Sequence, residues 1–183
     1  QQLILGSGKK FRFALNGGTT LTVGHAIGNA AILTTDVDMS AQGTAAGARS
    51  ISFTHGAATV AVNYFAEGSV TISITPGLAD TYDIASHAAL TSGGVDTVYL
   101  QPGQQVRRAL TLTTSKVDLV ANPYASVVVV AATILQHPVG VALTALTSGQ
   151  WGWLQTRGNC GVICTGTMTV GSPAVMRLSG GTA

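Results

Sequence analysis

Ser69-Val70-Thr71-Ile72-Ser73-Ile74-Thr75 (SVTISIT) decides the fold class. Apolar and hydroxyl residues alternate along it, the period of an extended strand with one buried face. Pro76-Gly77 then supplies turn chemistry. The same signal recurs on either side. Residues 50–54 (SISFT) and 59–63 (TVAVN) both alternate, and His55-Gly56-Ala57-Ala58 is a turn-length link between them, so the spacing predicts a β-hairpin. Further strands are predicted over residues 97–100, 106–113, 116–120, 126–135, 139–144, 151–156, 161–164 and 168–170. Breaks such as Gln101-Pro102-Gly103 and Gln136-His137-Pro138 separate them. Many short strands at close spacing predict an all-β chain: an antiparallel β-barrel or a jelly-roll-like sandwich.

Helix signals are poor. The best candidate is residues 83–90 (DIASHAAL), two turns capped by Asp83. Residues 41–48 (AQGTAAGA) have the composition of a flexible loop. The expected organisation is therefore an N-terminal arm or hairpin with that loop over residues 1–48, and a barrel or sandwich domain over residues 49–183. No period of 20–50 residues is visible, which argues against a solenoid.

Charged residues make up 9% of the 183, against roughly 25% in average chains, while apolar residues make up 46%. Such a chain is too apolar to be disordered. With few surface charges it repels its neighbours weakly, a property of proteins that stack against other subunits. A secreted β-domain with a neutral surface is the alternative. The nine Lys and Arg are scattered, with Lys9-Lys10 and Arg107-Arg108 the only doublets. No basic stripe with interleaved aromatics appears, so no nucleic-acid partner is expected. The longest apolar run, residues 127–135 (VVVVAATIL), is far short of the ~20 residues of a spanning helix, and no membrane partner is expected. The opening QQLILGSGKK lacks the basic start and apolar core of a signal peptide.

The run that begins Val127, Val128, Val129, Val130 does not alternate. It is expected to be enclosed on both faces, between two layers or two subunits, because an exposed edge of this composition would aggregate. Trp151, Trp153, Gln155 and Arg157 fall at every second position and share one side of a regular strand. Large rings and Arg dominate binding energy at interfaces, so these four and the Val127–Val130 residues are the candidate subunit or capsid interface. A sugar platform is the alternative use of the two rings. Arg157 is expected to find a carboxylate or carbonyl partner across a subunit boundary.

Chemistry-bearing constellations are sparse. Cys160 and Cys164 on a strand would stand roughly 13 Å apart, too far for a disulfide, and they are too few for a structural zinc site. They read as small buried hydrophobes in a reducing compartment. His25, His55, His87 and His137 have no ligand at metal spacing and read as polar turn residues. Asp36-Val37-Asp38 puts two carboxylates on one side of an extended chain, but nothing continues a calcium loop. There is no Gly-x-Ser-x-Gly elbow and no phosphate-cradling loop, and the seven acids are dispersed. No catalysis, metal or cofactor is expected.

Four ordered blocks carry a family resemblance. Residues 114–124 (TSKVDLVANPY), 138–142 (PVGVA) and 151–163 (WGWLQTRGNCGVI) lie in the second half, and residues 8–18 (GKKFRFALNGG) in the first. Together they resemble segments of tailed-bacteriophage structural proteins over roughly half the chain. The resemblance implies a virion protein of the capsid-decoration or cement type. Its expected partners are copies of itself, as a homotrimer, and the phage major capsid protein. Its expected place is the capsid surface, after assembly in the host bacterial cytoplasm. A receptor- or carbohydrate-binding module of a phage fibre or tail is the competing reading. In the family a further strand follows the Gly-rich C-terminal stretch. Here the sequence ends at Ser179-Gly180-Gly181-Thr182-Ala183, so a barrel closed differently or a trimmed copy is expected.

Overall fold

The computed structural model describes residues 1–29, 34–130 and 137–163. It is all-β, with antiparallel sheets and one 3-10 turn, Thr34–Asp36, among the described residues. In chain order the strands are β1 (Gln2–Ile4), β2 (Lys10–Leu15), β3 (Ala26–Asn29), β4 (Met39–Ser40), β5 (Ser50–Thr54), β6 (Ser69–Ile74), β7 (Thr81–His87), β8 (Val95–Leu100), β9 (Lys116–Val120), β10 (Val127–Val129), β11 (Pro138–Ala142) and β12 (Trp151–Arg157). Two compact units share them: Gln1–Ala31 with Pro123–Ala183, and Ile32–Asn122. The second unit is thus inserted between β3 and β10 of the first.

The inserted unit is a six-stranded sheet of order β4-β9-β6-β7-β8-β5. Just past β4, Ala41 pairs with Phe53, and the Gln42 N–H donates to the Ser52 carbonyl at 2.8 Å, so the sheet returns on itself as a nearly closed barrel. Alternation explains its interior. Ile51, Phe53, Val70, Ile72, Ile84, Val98, Val117 and Leu119 are buried, each such side chain contributing about 1.5–3 kcal/mol of transfer free energy. The intervening Ser and Thr face outward and pair with one another: Ser52 with Thr97 at 2.8 Å, Thr71 with Thr81 at 3.1 Å. Ile74 departs from the SVTISIT pattern. The register against β9 shifts between Ile72 and Ile74, and Ile74 is 42% exposed.

The first unit is a six-stranded sheet of order β1-β2-β12-β11-β3-β10. It curls until β10 meets the end of β2: the Leu15 N–H donates to the Tyr124 carbonyl (2.9 Å) and the Gly17 N–H to the Val127 carbonyl (3.0 Å). Its core is made of Ala14, Leu21, Ile27, Val127, Ala142, Leu146 and Leu154.

One local device recurs in both units. Leu21 and Leu146 exchange backbone N–H···O=C bonds, as do Val60 and Leu90, and Thr44 and Leu110. Three residues beyond each member the backbone is left-handed: Gly24, Gly149, Asn63, Gly93, Gly47 and Thr113 have φ of 80, 78, 58, 67, 85 and 62°. Each turn re-aims the chain toward its next strand. The spacing between copies is irregular, which is why no period is visible in the sequence.

Several expectations are corrected. β5 pairs with β8, not with residues 59–63. In that stretch Val60 makes a single bridge and Val62 is 62% exposed, because the chain turns at Asn63. Residues 83–87 belong to β7, not to a helix: Tyr82 and Ile84 alternate into the core. Residues 106–113 are not a strand, since Val106 and Leu110, four positions apart, are the residues it buries. The N-terminal 48 residues are not an arm. β1 to β3 are part of the first unit's sheet, and residues 41–48 are tied down, with Ala41 fully buried and the Gly47 N–H bonded to the Val106 carbonyl at 2.8 Å. The chain divides near residues 31 and 122 instead of 48. Residues 161–163 form no strand. Residue 164, residues 168–170 and residues 131–135 of the apolar run lie outside the described residues.

Candidate interaction face

β12 lies antiparallel to β2 with Trp151 opposite Leu15, Trp153 opposite Phe13 and Gln155 opposite Phe11. Alternation sends Gly152 and Leu154 inward, and both are buried. Gly152 has a packing reason: a Cβ there would come within 2.5 Å of the Leu146 methyl carbons. Trp151 and Trp153 therefore point outward. Phe13 stands between them, stacked on Trp151 (centroids 5.5 Å apart, planes 12° apart) and tilted against Trp153 (5.1 Å, 57°). Trp151 is 54% exposed and Trp153 is half-buried. The surface continues onto β1, where Leu3 pairs opposite Phe11 and is exposed, as is Leu5 just past the strand, while the exposed Ile4, opposite Lys10, alternates to the other face.

The regular-strand premise holds for the two rings and fails after them. A register shift lies between Gln155 and Arg157, which pairs opposite Lys10. Gln155 is buried, and its Nε2 donates to the carbonyls of Arg157 (3.1 Å) and Asn159 (3.0 Å), so it locks the end of the strand instead of facing out. Arg157 is exposed and has no carboxylate partner among the described residues. Val127 is wholly buried in the first unit's core, Val129 packs against that core, and Val128 and Val130 are half-buried. Val128 lies so close to Gly18 that a Cβ there would meet its Cγ1 at 2.8 Å.

The other candidate groups sit apart from this face. Asp36 and Asp38 do not converge. Asp36 is buried with its Oδ1 3.4 Å from His55 Nε2, while the Asp38 N–H donates to Asp118 Oδ1 at 2.7 Å. Burial pushes the Asp36 carboxyl above the usual carboxylate range, and the bond to His55 partly offsets this. His55 Nδ1 is buried without a hydrogen-bond partner. His87 is also buried: its Nε2 accepts from the Phe65 N–H at 2.9 Å, and its Nδ1 lies 2.6 Å from the Ala88 carbonyl. Two of the four histidines are thus core groups, not turn residues. Cys160 is exposed instead of buried, because it follows the end of β12 in irregular chain. Arg108 grips Asp80 with two bonds of 3.0 Å and holds that carboxyl below its usual range. Among the described residues no three His, Cys, Asp or Glu side chains converge on a possible metal site.

Sequence reasoning found the two tryptophans and missed Phe13, which completes the cluster, and the apolar β1. The signals were present as alternation in Phe11-Arg12-Phe13 and as the uncharged opening QQLIL. Compared with known families, with curated proteins and with solved structures, the chain matches no family model, no protein and no structure.

Proposed function

We propose that the chain is a non-enzymatic structural protein of a tailed-phage virion that binds the outside of the capsid and stabilises it. The observation that carries this reading is the outward cluster Phe13, Trp151 and Trp153 on a unit whose own core holds Ala14, Ala142, Val127 and a few Leu and Ile side chains. Rings of this size bury large apolar area when covered. The ring area left in water contributes no burial energy, so the placement fits a surface that is completed by another protein. The low charge of the chain and its resemblance to phage structural proteins support the same reading. The partners are copies of the chain and the major capsid protein. Function is then adhesion, in which many modest contacts repeated by the symmetry of the shell add up to strong attachment.

Quantified protein bands from purified particles test it. A decoration protein is present at on the order of hundreds of copies, in proportion to the symmetry sites of the shell. Tens of copies or fewer would favour a fibre or tail module. That second reading has one observation of its own: Trp151, 54% exposed and nearly coplanar with Phe13, presents a flat ring of the kind that stacks on sugars. Quenching of tryptophan fluorescence by a panel of bacterial surface glycans, lost in Trp151→Ala, would support it.

A further inference from the structure

We infer that His87 is a proton-sensitive latch: its neutral ring holds the loop of residues 61–67 shut against the inserted barrel, and acid releases that loop. The inference rests on the inserted unit alone and does not depend on the virion reading.

His87 ends β7 and is buried, its ring against the equally buried Phe65 with centroids 5.7 Å apart. Three bonds tie it to the loop. The His87 N–H donates to Asn63 Oδ1 at 2.9 Å, the Asn63 N–H donates to the His87 carbonyl at 3.2 Å, and the Phe65 N–H donates to His87 Nε2 at 2.9 Å. The other ring nitrogen, Nδ1, lies 2.6 Å from the Ala88 carbonyl oxygen.

These partners fix the proton. A backbone N–H can only donate, so Nε2 offers its lone pair. A carbonyl can only accept, so Nδ1 carries the hydrogen. The closed loop thus selects one neutral tautomer. A second proton on Nε2 would set N–H against N–H at 2.9 Å in a buried site, and the Phe65 N–H would lose its acceptor. The ring bonds to two backbone groups and to no carboxylate, so nothing there compensates an imidazolium. The loop is also under backbone strain. Asn63 and Glu67 are left-handed, with φ of 58 and 59°, a conformation costly for Glu in particular. Releasing the His87 bonds lets both relax.

The neighbouring titratable groups do not act in this way. Burial, and then Asp36, push the Tyr64 hydroxyl above the usual tyrosine range, away from acid pH. Burial raises the Asp36 carboxyl, so acid favours its folded form, the opposite sign. Glu67 is exposed and accepts from Asn122. On the adjoining strands Asp83 is held by Gln104, Asp96 by Thr91, and Tyr99 is exposed. His55, the other buried imidazole of this unit, contacts Asp36 and not the loop.

In the open loop the ring takes up a proton near the ordinary histidine value of about 6.5. The closed loop takes none at Nε2. Each pH unit below that value should therefore favour opening about tenfold.

Nuclear magnetic resonance of the full chain between about pH 7.5 and pH 5 tests the inference. At the upper end the ring-nitrogen shifts of His87 are expected to show hydrogen on Nδ1 and none on Nε2. On acidification the protection factors of the Asn63 and Phe65 amides, corrected for intrinsic exchange, are expected to fall about tenfold per pH unit, while the β6–β9 ladder stays protected. In His87→Gln a side-chain oxygen can still accept from Phe65 but does not titrate, and the loop's protection is expected to be independent of pH. The wild-type readouts stand whether or not that variant folds. Phe65 protection that does not change with pH overturns the inference. So does a His87 ring that is doubly protonated while the Phe65 amide stays protected. Loss of protection in the loop and the ladder together would mean global acid unfolding and no latch. An unchanged pH dependence in His87→Gln would assign the effect to another group and also overturn it.

Discussion

Phe53, Phe65 and Tyr82 lie in the core of the inserted unit, while Phe13, Trp151 and Trp153 lie outside the sheet of the first. The outer walls differ in the same sense. Ser52, Thr97, Thr71 and Thr81 satisfy one another across the inserted barrel and offer water a hydroxyl surface. The first unit offers rings and exposed leucines. The difference lies in where these rings sit and not in apolar exposure as a whole, since Val62, Ile74, Val95 and Tyr99 of the inserted unit are exposed too.

Substitutions in matched aromatic positions put this contrast at risk. Phe53→Ala empties a site with no exposure and is expected to cost about 3–5 kcal/mol of folding stability, read by thermal or denaturant melting. Trp151→Ala is expected to leave the melt of the isolated chain within about 0.5 kcal/mol of wild type. It should weaken binding to shells stripped of the native protein by about 2 kcal/mol. If Trp151→Ala instead melts like Phe53→Ala, the outward cluster is core and the contrast fails.

Two finer tests act within the inserted unit. Thr113 is a β-branched residue held at φ 62°, a conformation costly for its side chain. Thr113→Gly is expected to raise stability by about 1 kcal/mol, whereas Gly93→Thr in the equivalent turn should lower it by a similar amount. The smallest effect concerns Asp36. Its folded carboxyl holds its proton more tightly than the unfolded one. Its contribution to stability is therefore full below the ordinary carboxylate range and is lost as pH rises through the raised folded value. Asp36→Asn is expected to remove this loss. Its melting temperature relative to wild type should climb as pH rises above about 4, the ordinary carboxylate value, and a flat difference would refute the assignment.

What was legible in the sequence was local. Lys116–Val120 forms a strand with the bounds its alternation implied, and Val70 and Ile72 are buried as SVTISIT requires. Ile74 escaped because a bulge is set by the partner strand, not by the strand that carries it. Residues 83–90 read as two helical turns capped by Asp83, but burial of Tyr82 and Ile84 on β7 overrode that local signal. The site was half visible for the same reason. Trp151 and Trp153 can be read from one strand, but Phe13 joins them only through a pairing between the two ends of the chain. The Asp36–His55 contact likewise joins residues that no spacing rule connects.

The insertion of one unit between β3 and β10 also orders events in time. Residues 32–122 emerge from the ribosome as a contiguous stretch and close their barrel from contacts within that stretch. β2 must wait for β12, which is synthesised some 140 residues later. Non-local pairing of this kind is slow, because loop-closure entropy is lost before any contact repays it. Contacts within residues 32–122 need no loop closure of that length.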